Sequence, residues 1–252
     1  MNKPNLANST NGSAYFFKGF ELIRAKGIRR FVLIPLAINL LLFSFAFYYL
    51  LNQLDYLMLR VEESVPSWLS WLSYIIWPLA ILTVLVVFSF IFSTAANWIA
   101  APFNGLLSEK VEVLLSGHSI NAEDGLTALI KDLPRTFARE WQKFSYYLPR
   151  AIGFFILLWV VPIVGQIIWF LFIAWMMAIQ YKDYPFDNHK ISFNQMKFVL
   201  KENQKLSYSF GITVTVFSMI PFINLIVMPV AICGATALWV DHYKQPLIQE
   251  GN

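Results

Sequence analysis

Four long stretches of this chain contain no Asp, Glu, Lys, Arg or His, and their lengths limit the folds that the chain can adopt. They cover residues 31–54, 64–108, 151–181 and 206–240. A helix that crosses the hydrocarbon core of a bilayer needs about 20 apolar residues. The first stretch therefore predicts one transmembrane helix, and the second predicts another with long ends.

The composition favours a bilayer over an oversized soluble core. Hydrophobic residues make up 58% of the chain and charged residues only 13%, whereas a soluble domain carries about 25% charged residues. The nine tryptophans recur near the ends of the apolar runs, where an amphipathic ring suits the level of the lipid headgroups. The single cysteine, Cys233, lies within an apolar run, so no internal disulfide is possible.

The third and fourth stretches are each longer than one span but too short for two spans and a turn. Pro162 interrupts the third and Pro221 the fourth, and each proline is followed three residues later by a turn-tolerant residue, Gly165 or Asn224. Each arm would have about 15 residues, or about 22 Å of helix, which is too short for a full crossing. We therefore predict two re-entrant helical hairpins.

These two hairpins also resemble a weak internal repeat, a feature common in transporters. Prolines and small residues in two apolar hairpins can also align by chance. At an offset of 59 residues the matched pairs are Pro162 with Pro221, Ala174 with Cys233, Ala178 with Ala237, and Tyr184 with Tyr243.

The distribution of basic residues predicts the orientation, because Lys and Arg collect in cytoplasmic loops. Six of them precede Phe31, whereas the connection 55–63 holds only Arg60 against three acidic residues. That connection should face the periplasm. The N-terminus, the C-terminus and the loops 109–150 and 182–205 should face the cytoplasm of a bacterial cell, as parts of a multi-pass inner-membrane protein.

The predicted fold is an all-α integral membrane protein with two long transmembrane helices, two re-entrant (hemi-penetrating) hairpins and amphipathic surface helices. We expect residues 1–252 to form a single membrane domain. Its parts are a cytoplasmic amphipathic segment (1–30), the two transmembrane helices (31–108), an amphipathic cytoplasmic region (109–150) and the two hairpins (151–240).

The amphipathic region between Asn104 and Arg150 is balanced, with six basic and six acidic residues. Residues 117–125 are typical of a loop. Pro134 suits the first turn of a helix that runs towards Tyr147. We expect these helices to lie near the membrane surface.

Several classes of function lack the residues that they need. No phosphate-binding loop of the form G-x-x-x-x-G-K-[ST] occurs, so nucleotide hydrolysis has no support. His118, His189 and His242 are scattered and have no second ligand at helical spacing, so we interpret them as polar surface residues and expect no metal. We expect no enzyme activity, no catalytic residue and no cofactor.

The partners should be anions in or near a membrane. The formal net charge is +4, but the basic residues flank hydrophobic segments and form no polar domain of their own, so we expect no nucleic acid. Anionic lipid and an anionic solute fit better. Because the apolar stretches hold no charged side chain, a channel-like path is favoured over an ion-coupled carrier.

One short motif has the chemistry of an oxyanion site: Gly27, Ile28, Arg29 and Arg30, directly before the first long helix. Glycine allows a turn that exposes backbone N–H groups at the start of the helix, and the helix dipole favours negative charge there. Two arginines add charge and forked donors. The alternative is a basic anchor for anionic headgroups.

A second basic group, Arg135, Arg139 and Lys143, has i, i+4, i+8 spacing and forms one stripe on its helix. Glu109 and Glu140 are candidate counter-charges. The stripe could be a vestibule that attracts anions, or a surface that faces lipid headgroups. Polar lining of a pore could come from asparagines, among them Asn97 and Asn104, although asparagines between helices are also structural hydrogen-bonding groups.

The chain resembles the bacterial CysZ sulfate permease family over almost everything after about Tyr15. The resemblance is carried by five segments of this sequence, which are Gly27 to Phe31, Asn97 to Leu107, Arg139 to Phe144, Asp183 to Lys190, and Cys233 to Ala237. Such strings are long and rich in rare residues, so chance similarity is improbable.

This resemblance implies an all-helical inner-membrane protein with two long membrane helices and hemi-penetrating hairpins, assembled as a homo-oligomer. It also implies ATP-independent sulfate uptake for cysteine biosynthesis. The sulfate site is implied at Gly27, Ile28 and Arg29, with Arg30 adjoining, and a charged central region at Glu109, Arg135 and Arg139.

Two other functions stay open from the residues alone. The chain could be a permease for another oxyanion, such as thiosulfate, sulfite or molybdate, since arginine forks select poorly among them. It could also be a membrane scaffold whose charged cytoplasmic face recruits a soluble partner.

Overall fold

The computed structural model describes residues 11–64, 70–117 and 126–249, and within these ranges the chain is helical and forms no strand. This agrees with the predicted all-α fold. The helices are α1 (Gly12–Leu22), α2 (Arg29–Ser64), α3 (Ser70–Ser116), α4 (Leu126–Val160), α5 (Pro162–Asn188), α6 (Phe193–Glu202), α7 (Gln204–Ser218), α8 (Pro221–Leu238) and α9 (Lys244–Gln249), with a π-helical turn, Trp239–Tyr243, between α8 and α9.

The described residues form two compact units. One is Leu33–Ala100, which holds most of α2 and the first part of α3. The other contains the described residues up to Val32 and those from Ala101 onward. We call them the helical-pair unit and the bundle unit.

Aromatic side chains join the two helices of the helical-pair unit. Phe43 of α2 lies 5.2 Å from Phe92 of α3, and Phe47 lies 6.2 Å from Phe88, measured between ring centroids. On the outside, large apolar side chains such as Phe45 are largely exposed. In water such a surface would cost free energy, whereas in lipid it is the expected one.

Three described segments are long and apolar enough to cross a membrane: Arg29–Leu54, Pro162–Asn188 and Ile223–Leu247. Trp77–Phe92 is a shorter apolar segment within α3. Two of these four segments belong to the two long helices that were predicted between residues 31 and 108.

Both predicted breaks are present, and the two turns have matching hydrogen bonds. Pro162 and Pro221 are the first residues of α5 and α8, a position where proline loses no hydrogen bond. The N–H of Gly165 donates to the carbonyl of Val161 at 2.7 Å, and the N–H of Asn224 donates to that of Ile220 at 2.8 Å. These pairs are 59 residues apart, which supports the internal repeat at the turns.

The predicted arm length of about 15 residues agrees with α7, which has 15 residues, but is wrong for the second arms. Helix α5 has 27 residues, and the apolar segment Ile223–Leu247 has 25. Residues 182–188, predicted as part of a loop, continue α5 because their charged and aromatic side chains are buried against other helices. Helix length therefore does not force these arms to end inside the bilayer, and their re-entrant path stays a prediction.

The amphipathic region also differs from its prediction. Pro134 lies inside α4 and not in its first turn, because α4 begins by Leu126 and runs to Val160 without a break at Arg150. Gly117 ends α3 with a positive φ of 72°. The rest of the predicted 117–125 loop lies outside the described residues.

The core of the bundle unit combines buried aromatic side chains with close helix crossings at glycine. Tyr15 and Phe16 of α1 are fully buried, and α1 packs against α8 and α7. Helix α7 approaches α5 so closely at Gly211 that a Cβ there would overlap the backbone carbonyl of Ala174. Only glycine allows this approach, because a backbone atom cannot move aside as a flexible side chain can.

We predict that Gly211→Ala lowers the stability of the purified protein by about 1–3 kcal/mol, the usual cost of overpacking. The measurement is the thermal unfolding midpoint in detergent. The matched control is Gly153→Ala in α4, where a Cβ meets nothing within 4 Å, and this variant should unfold no earlier than the wild type. Equal midpoints for all three proteins would contradict the close packing of α5 and α7.

Candidate functional site

The Gly27–Arg30 motif lies in the turn between α1 and α2. Gly27 has a φ of +91°, a left-handed conformation that favours glycine. Ile28 is 3% exposed and belongs to the apolar core of the bundle unit, so its side chain holds the turn in place. Arg29 and Arg30 are the first two residues of α2. The structure thus brings the four predicted residues together at one helix start.

The two arginines of this motif are exposed and have no acidic partner among the described residues. The Nε of Arg29 donates to the carbonyl of Arg24 at 2.8 Å, and the guanidinium of Arg30 lies 5.0 Å from the centroid of the Phe31 ring. No described carboxylate lies within 4.0 Å of either guanidinium, and the first turn of α2 holds no acidic residue.

The backbone adds further donors at this helix start. The N–H of Phe31 donates to the carbonyl of Ile28 at 2.9 Å, whereas no described backbone carbonyl accepts from the N–H groups of Arg29 and Arg30. Free N–H groups and the helix dipole both favour an anion. Among the described residues, nothing compensates the positive charge of this motif, and unused backbone donors lie beside it.

Of the two asparagines predicted to line a pore, the structure describes the side chain of Asn104 only. Asn104 is 6% exposed, and its Nδ2 donates to the hydroxyl of Tyr184 at 3.1 Å and contacts the sulfur of Met228 at 3.6 Å. In this chain it makes the structural hydrogen bond between helices that was the alternative to pore lining. Asn97 lies within α3, but its side chain is outside the described residues.

The second basic group lies between α4 and α5, with Arg139 and Lys143 buried and Arg135 partly exposed. Arg135 donates to the carboxylate of Asp187 at 2.7 Å, and the Nε of Arg139 donates to that of Asp183 at 2.8 Å. The Nζ of Lys143 lies 3.4 Å from the other carboxylate oxygen of Asp183. Arg139 and Lys143 are 7% and 4% exposed, so this stripe faces α5 and not lipid headgroups.

The positions of these ion pairs follow from the hairpin. In an antiparallel pair of helices, residues equally distant from the turn lie opposite each other. Arg135 and Asp187 are equally distant from position 161, and so are Arg139 and Asp183. Because both arginines and both aspartates are four residues apart, each pair lies on one face of its helix. The turn at Val161 therefore sets the register of the charges.

The charges in this cluster cancel. Glu140 accepts a hydrogen bond from Lys143, so among the described residues three basic side chains meet three acidic ones. Burial disfavours the charge of Lys143, but the charges of Asp183 and Glu140 outweigh this and raise the pKa of Lys143 above its ordinary value. Of the two predicted counter-charges, Glu140 is present in the cluster, whereas Glu109 has Lys110 at 3.7 Å.

A further ionic group was not predicted. Glu112 of α3 is fully buried, and its carboxylate contacts His189 Nε2 at 2.9 Å and Lys244 Nζ at 2.8 Å. The ring of His189 packs 4.9 Å from that of Trp239. His189 is therefore no free surface residue, and neither is His242, whose Nε2 lies 2.9 Å from the hydroxyl of Tyr15. His118 lies outside the described residues.

Sequence reasoning missed Glu112, and of the acidic members of the α4–α5 cluster it predicted only Glu140. Asp183 and Asp187 lie in a segment that was predicted as a loop, although their four-residue spacing repeats that of Arg135 and Arg139 and could have indicated the pairing. Lys182 was missed as well. It is 1% exposed and donates to the hydroxyl of Ser207 at 3.1 Å, and no local pattern of residues distinguishes it from a surface lysine.

We predict that Asp183→Asn destabilises the bundle unit by about 3–5 kcal/mol, because it leaves Arg139 and Lys143 buried without a full counter-charge. Thermal unfolding in detergent measures the change. The matched control is Asp241→Asn, which weakens a partly exposed pair with Lys18 at 3.4 Å and should cost at most about 1 kcal/mol. Similar losses in both variants would argue against the special role of the buried cluster.

Glu112 also predicts a dependence of stability on pH. Burial raises the pKa of Glu112. Hydrogen bonds and charges from His189 and Lys244 lower it by a larger amount, so that the net pKa lies below the ordinary value of 4.5. The ionised carboxylate thus stabilises the fold, and this contribution is full above pH 4.5 and is lost as the pH falls through the folded-state pKa.

The expected result is that Glu112→Gln is less stable than the wild type near neutral pH and loses less stability on acidification. Unfolding midpoints measured in buffers above and below pH 4.5 test this. The control is Glu202→Gln, since Glu202 is exposed, and it should keep the acid sensitivity of the wild type. An unchanged slope in Glu112→Gln would contradict the prediction.

Comparison with known proteins places these sites within one family. The family described as Sulfate transporter CysZ/Etoposide-induced protein 2.4 matches residues 15–229. A protein named Sulfate transporter CysZ from Vibrio parahaemolyticus is 55% identical over 92% of this chain and 95% of its own length. Proteins with the same name from Vibrio atlanticus and Pectobacterium atrosepticum are 54% and 50% identical over 95% and 96% of this chain, and the matches cover 96% and 90% of those proteins.

The matched region contains the Gly27–Arg30 motif, the charged cluster of α4 and α5, and both hairpin turns. The apolar helical segments and this match together make the chain an all-α integral membrane protein. With a match over most of its length, the chain belongs to the family of Sulfate transporter CysZ and Etoposide-induced protein 2.4.

Proposed function

We propose that this chain is a sulfate permease or channel that lets sulfate cross the membrane without ATP, with its sulfate site at Gly27, Ile28, Arg29 and Arg30. The observation that carries the proposal is the pair of exposed guanidinium groups, without an acidic partner among the described residues, on the first turn of α2. The names of the relatives support sulfate as the solute.

The geometry of the motif suits a doubly charged tetrahedral anion. Sulfate gives up its water only where several donors replace it, and charged donors are worth about 1.5–3 kcal/mol each. Arg29 and Arg30 offer forked donors, and the N–H groups beside them lie at the positive end of the helix dipole. Ile28 contributes by anchoring this turn in the core.

The residues predicted to line a pore or vestibule are supported to different degrees. They are Asn97, Asn104, Glu109, Arg135 and Arg139. The charges of Arg135 and Arg139 are balanced by Asp187 and Asp183, so the attraction of an anion rests on the α2 motif. We assign Arg135 and Arg139 to a positioning role, in which they hold the α4–α5 hairpin in register. Asn97 of α3 stays a candidate for polar lining.

The cellular setting follows the same reasoning. We propose a multi-pass protein of the bacterial inner membrane with cytoplasmic N- and C-termini, supported by the excess of basic residues before Phe31. Uptake for cysteine biosynthesis fits the transport of sulfate. Assembly as a homo-oligomer and contact with membrane lipid fit the large exposed apolar surface of the helical-pair unit. We also retain the two re-entrant hairpins as part of this proposal.

We predict that the double variant Arg29→Gln/Arg30→Gln lowers sulfate flux into proteoliposomes at least tenfold, because two charged donors are lost and each factor of ten corresponds to about 1.4 kcal/mol. Radiolabelled sulfate uptake measures the flux. The charge-matched control, Lys201→Gln/Lys205→Gln, changes two exposed lysines outside the motif and should transport as the wild type does.

A third variant, Arg29→Lys/Arg30→Lys, separates recognition of the anion from a basic lipid anchor. It keeps the charge but loses the forks, so its flux should fall below that of the wild type. Full flux in this variant would favour the anchor. No flux of the wild type above empty vesicles would reject the transport proposal, and equal competition by thiosulfate, sulfite or molybdate would widen the solute to oxyanions in general.

A further inference from the structure

A second basic site lies away from the α2 motif, in an open cavity of about 490 Å³ between α4 and the start of α6. Its lining includes Ser145 and Arg150 of α4, and Ser192, Asn194 and Lys197 at α6, and it contains no acidic side chain. Cavities of about 300–1,000 Å³ are typical of small-molecule sites. This one is large enough for more than a single tetrahedral anion.

Two cations share this cavity, and the residues that line it include no acidic side chain. The guanidinium carbon of Arg150 lies 3.8 Å from the centroid of the Tyr146 ring, and Lys197 Nζ lies 4.6 Å from the same centroid. No described carboxylate lies within 4.0 Å of either group. Burial, and then the positive charges of Arg150 and Lys201, lower the pKa of Lys197, as expected for like charges held near each other.

The start of α6 adds backbone donors to the same cavity. Ser192 is the N-cap, and its hydroxyl accepts from the N–H of Gln195 at 3.2 Å. The N–H of Met196 donates to the carbonyl of Ser192 at 3.0 Å. The N–H groups of Phe193 and Asn194, which also line the cavity, have no described backbone acceptor. They point out of the positive end of a ten-residue helix.

The surroundings of the cavity are those of a membrane interface. Trp141, which lines the cavity, is 58% exposed. Phe144 and Phe198, which are sequence neighbours of the lining residues Ser145 and Lys197, are also exposed. Directly after Arg150, α4 becomes apolar on all sides, with Ile152 and Phe155 exposed. Aromatic side chains and an arginine at such a boundary are typical of the level of lipid headgroups.

We propose that this cavity, defined by Arg150, Lys197 and the start of α6, binds a phosphate group, either on an anionic phospholipid headgroup or as free phosphate. The two cations and two free N–H groups are the donors that a phosphate accepts from. The absence of acidic lining leaves the positive charge uncompensated, and the volume admits a headgroup with its glycerol. This site is independent of the sulfate site at Gly27–Arg30.

The test is isothermal titration calorimetry on the full-length protein in neutral detergent and sulfate-free buffer. The probes are dihexanoylphosphatidic acid, dihexanoylphosphatidylcholine and inorganic phosphate. Arg150→Gln/Lys197→Gln should weaken binding of phosphatidic acid at least tenfold. The control, Lys205→Gln, removes an exposed lysine that does not line the cavity and should bind within twofold of the wild type. The variant Arg150→Lys/Lys197→Arg keeps both charges and should retain most of the affinity. Its binding would show that the loss in Arg150→Gln/Lys197→Gln comes from the missing charges and not from misfolding.

The arms of the experiment distinguish the two sources of phosphate. Inorganic phosphate that binds as tightly as phosphatidic acid would identify a free anion, and much weaker binding would identify a lipid headgroup. Binding that persists in Arg29→Gln/Arg30→Gln assigns it to this cavity and separates it from the transport proposal. No binding of phosphatidic acid or phosphate by the wild type, an equal loss in the control, or equal binding of zwitterionic phosphatidylcholine would each overturn the proposal.

Discussion

The bundle unit depends on a carboxylate that is almost fully buried, that of Asp183. It lies between Arg139 and Lys143, and a buried charge without such partners would cost several kcal/mol. The pairing is possible only if α4 and α5 run antiparallel with position 161 at the turn. The same register brings Arg135 to Asp187. One electrostatic requirement thus constrains the hairpin, its turn and the length of α5 beyond the apolar stretch.

Two groups of basic residues in the described part of the chain differ in this respect. Arg135, Arg139 and Lys143 have acidic partners and serve the fold. Arg29 and Arg30 have none among the described residues, and Arg150 and Lys197 share an acid-free cavity. Charges that the fold leaves uncompensated are the ones available to an anion, because bound sulfate or phosphate then replaces water and not an internal carboxylate.

Local patterns predicted much of the fold. The uncharged stretches indicated the membrane helices, and Pro162 and Pro221 marked the starts of α5 and α8, since proline excludes a continuous helix by its own geometry. The pattern of residues along the chain could not show that α5 extends to Asn188. Lys182, Asp183 and Asp187 are typical of a loop, and they are helical here because their partners on other elements make burial possible.

The sequence by itself determined the Gly27–Arg30 motif, where we propose the sulfate site. Its chemistry is local, because a glycine with a positive φ and two arginines at a helix start need no distant residue. It also determined the all-α class and the two turns. Only the tertiary structure decided which charges are neutralised. Arg139 meets Asp183 across 44 residues, and Glu112 meets His189 across 77. Such pairs depend on how helices pack, since the energy of a charge is set by its surroundings and not by its neighbours in the chain.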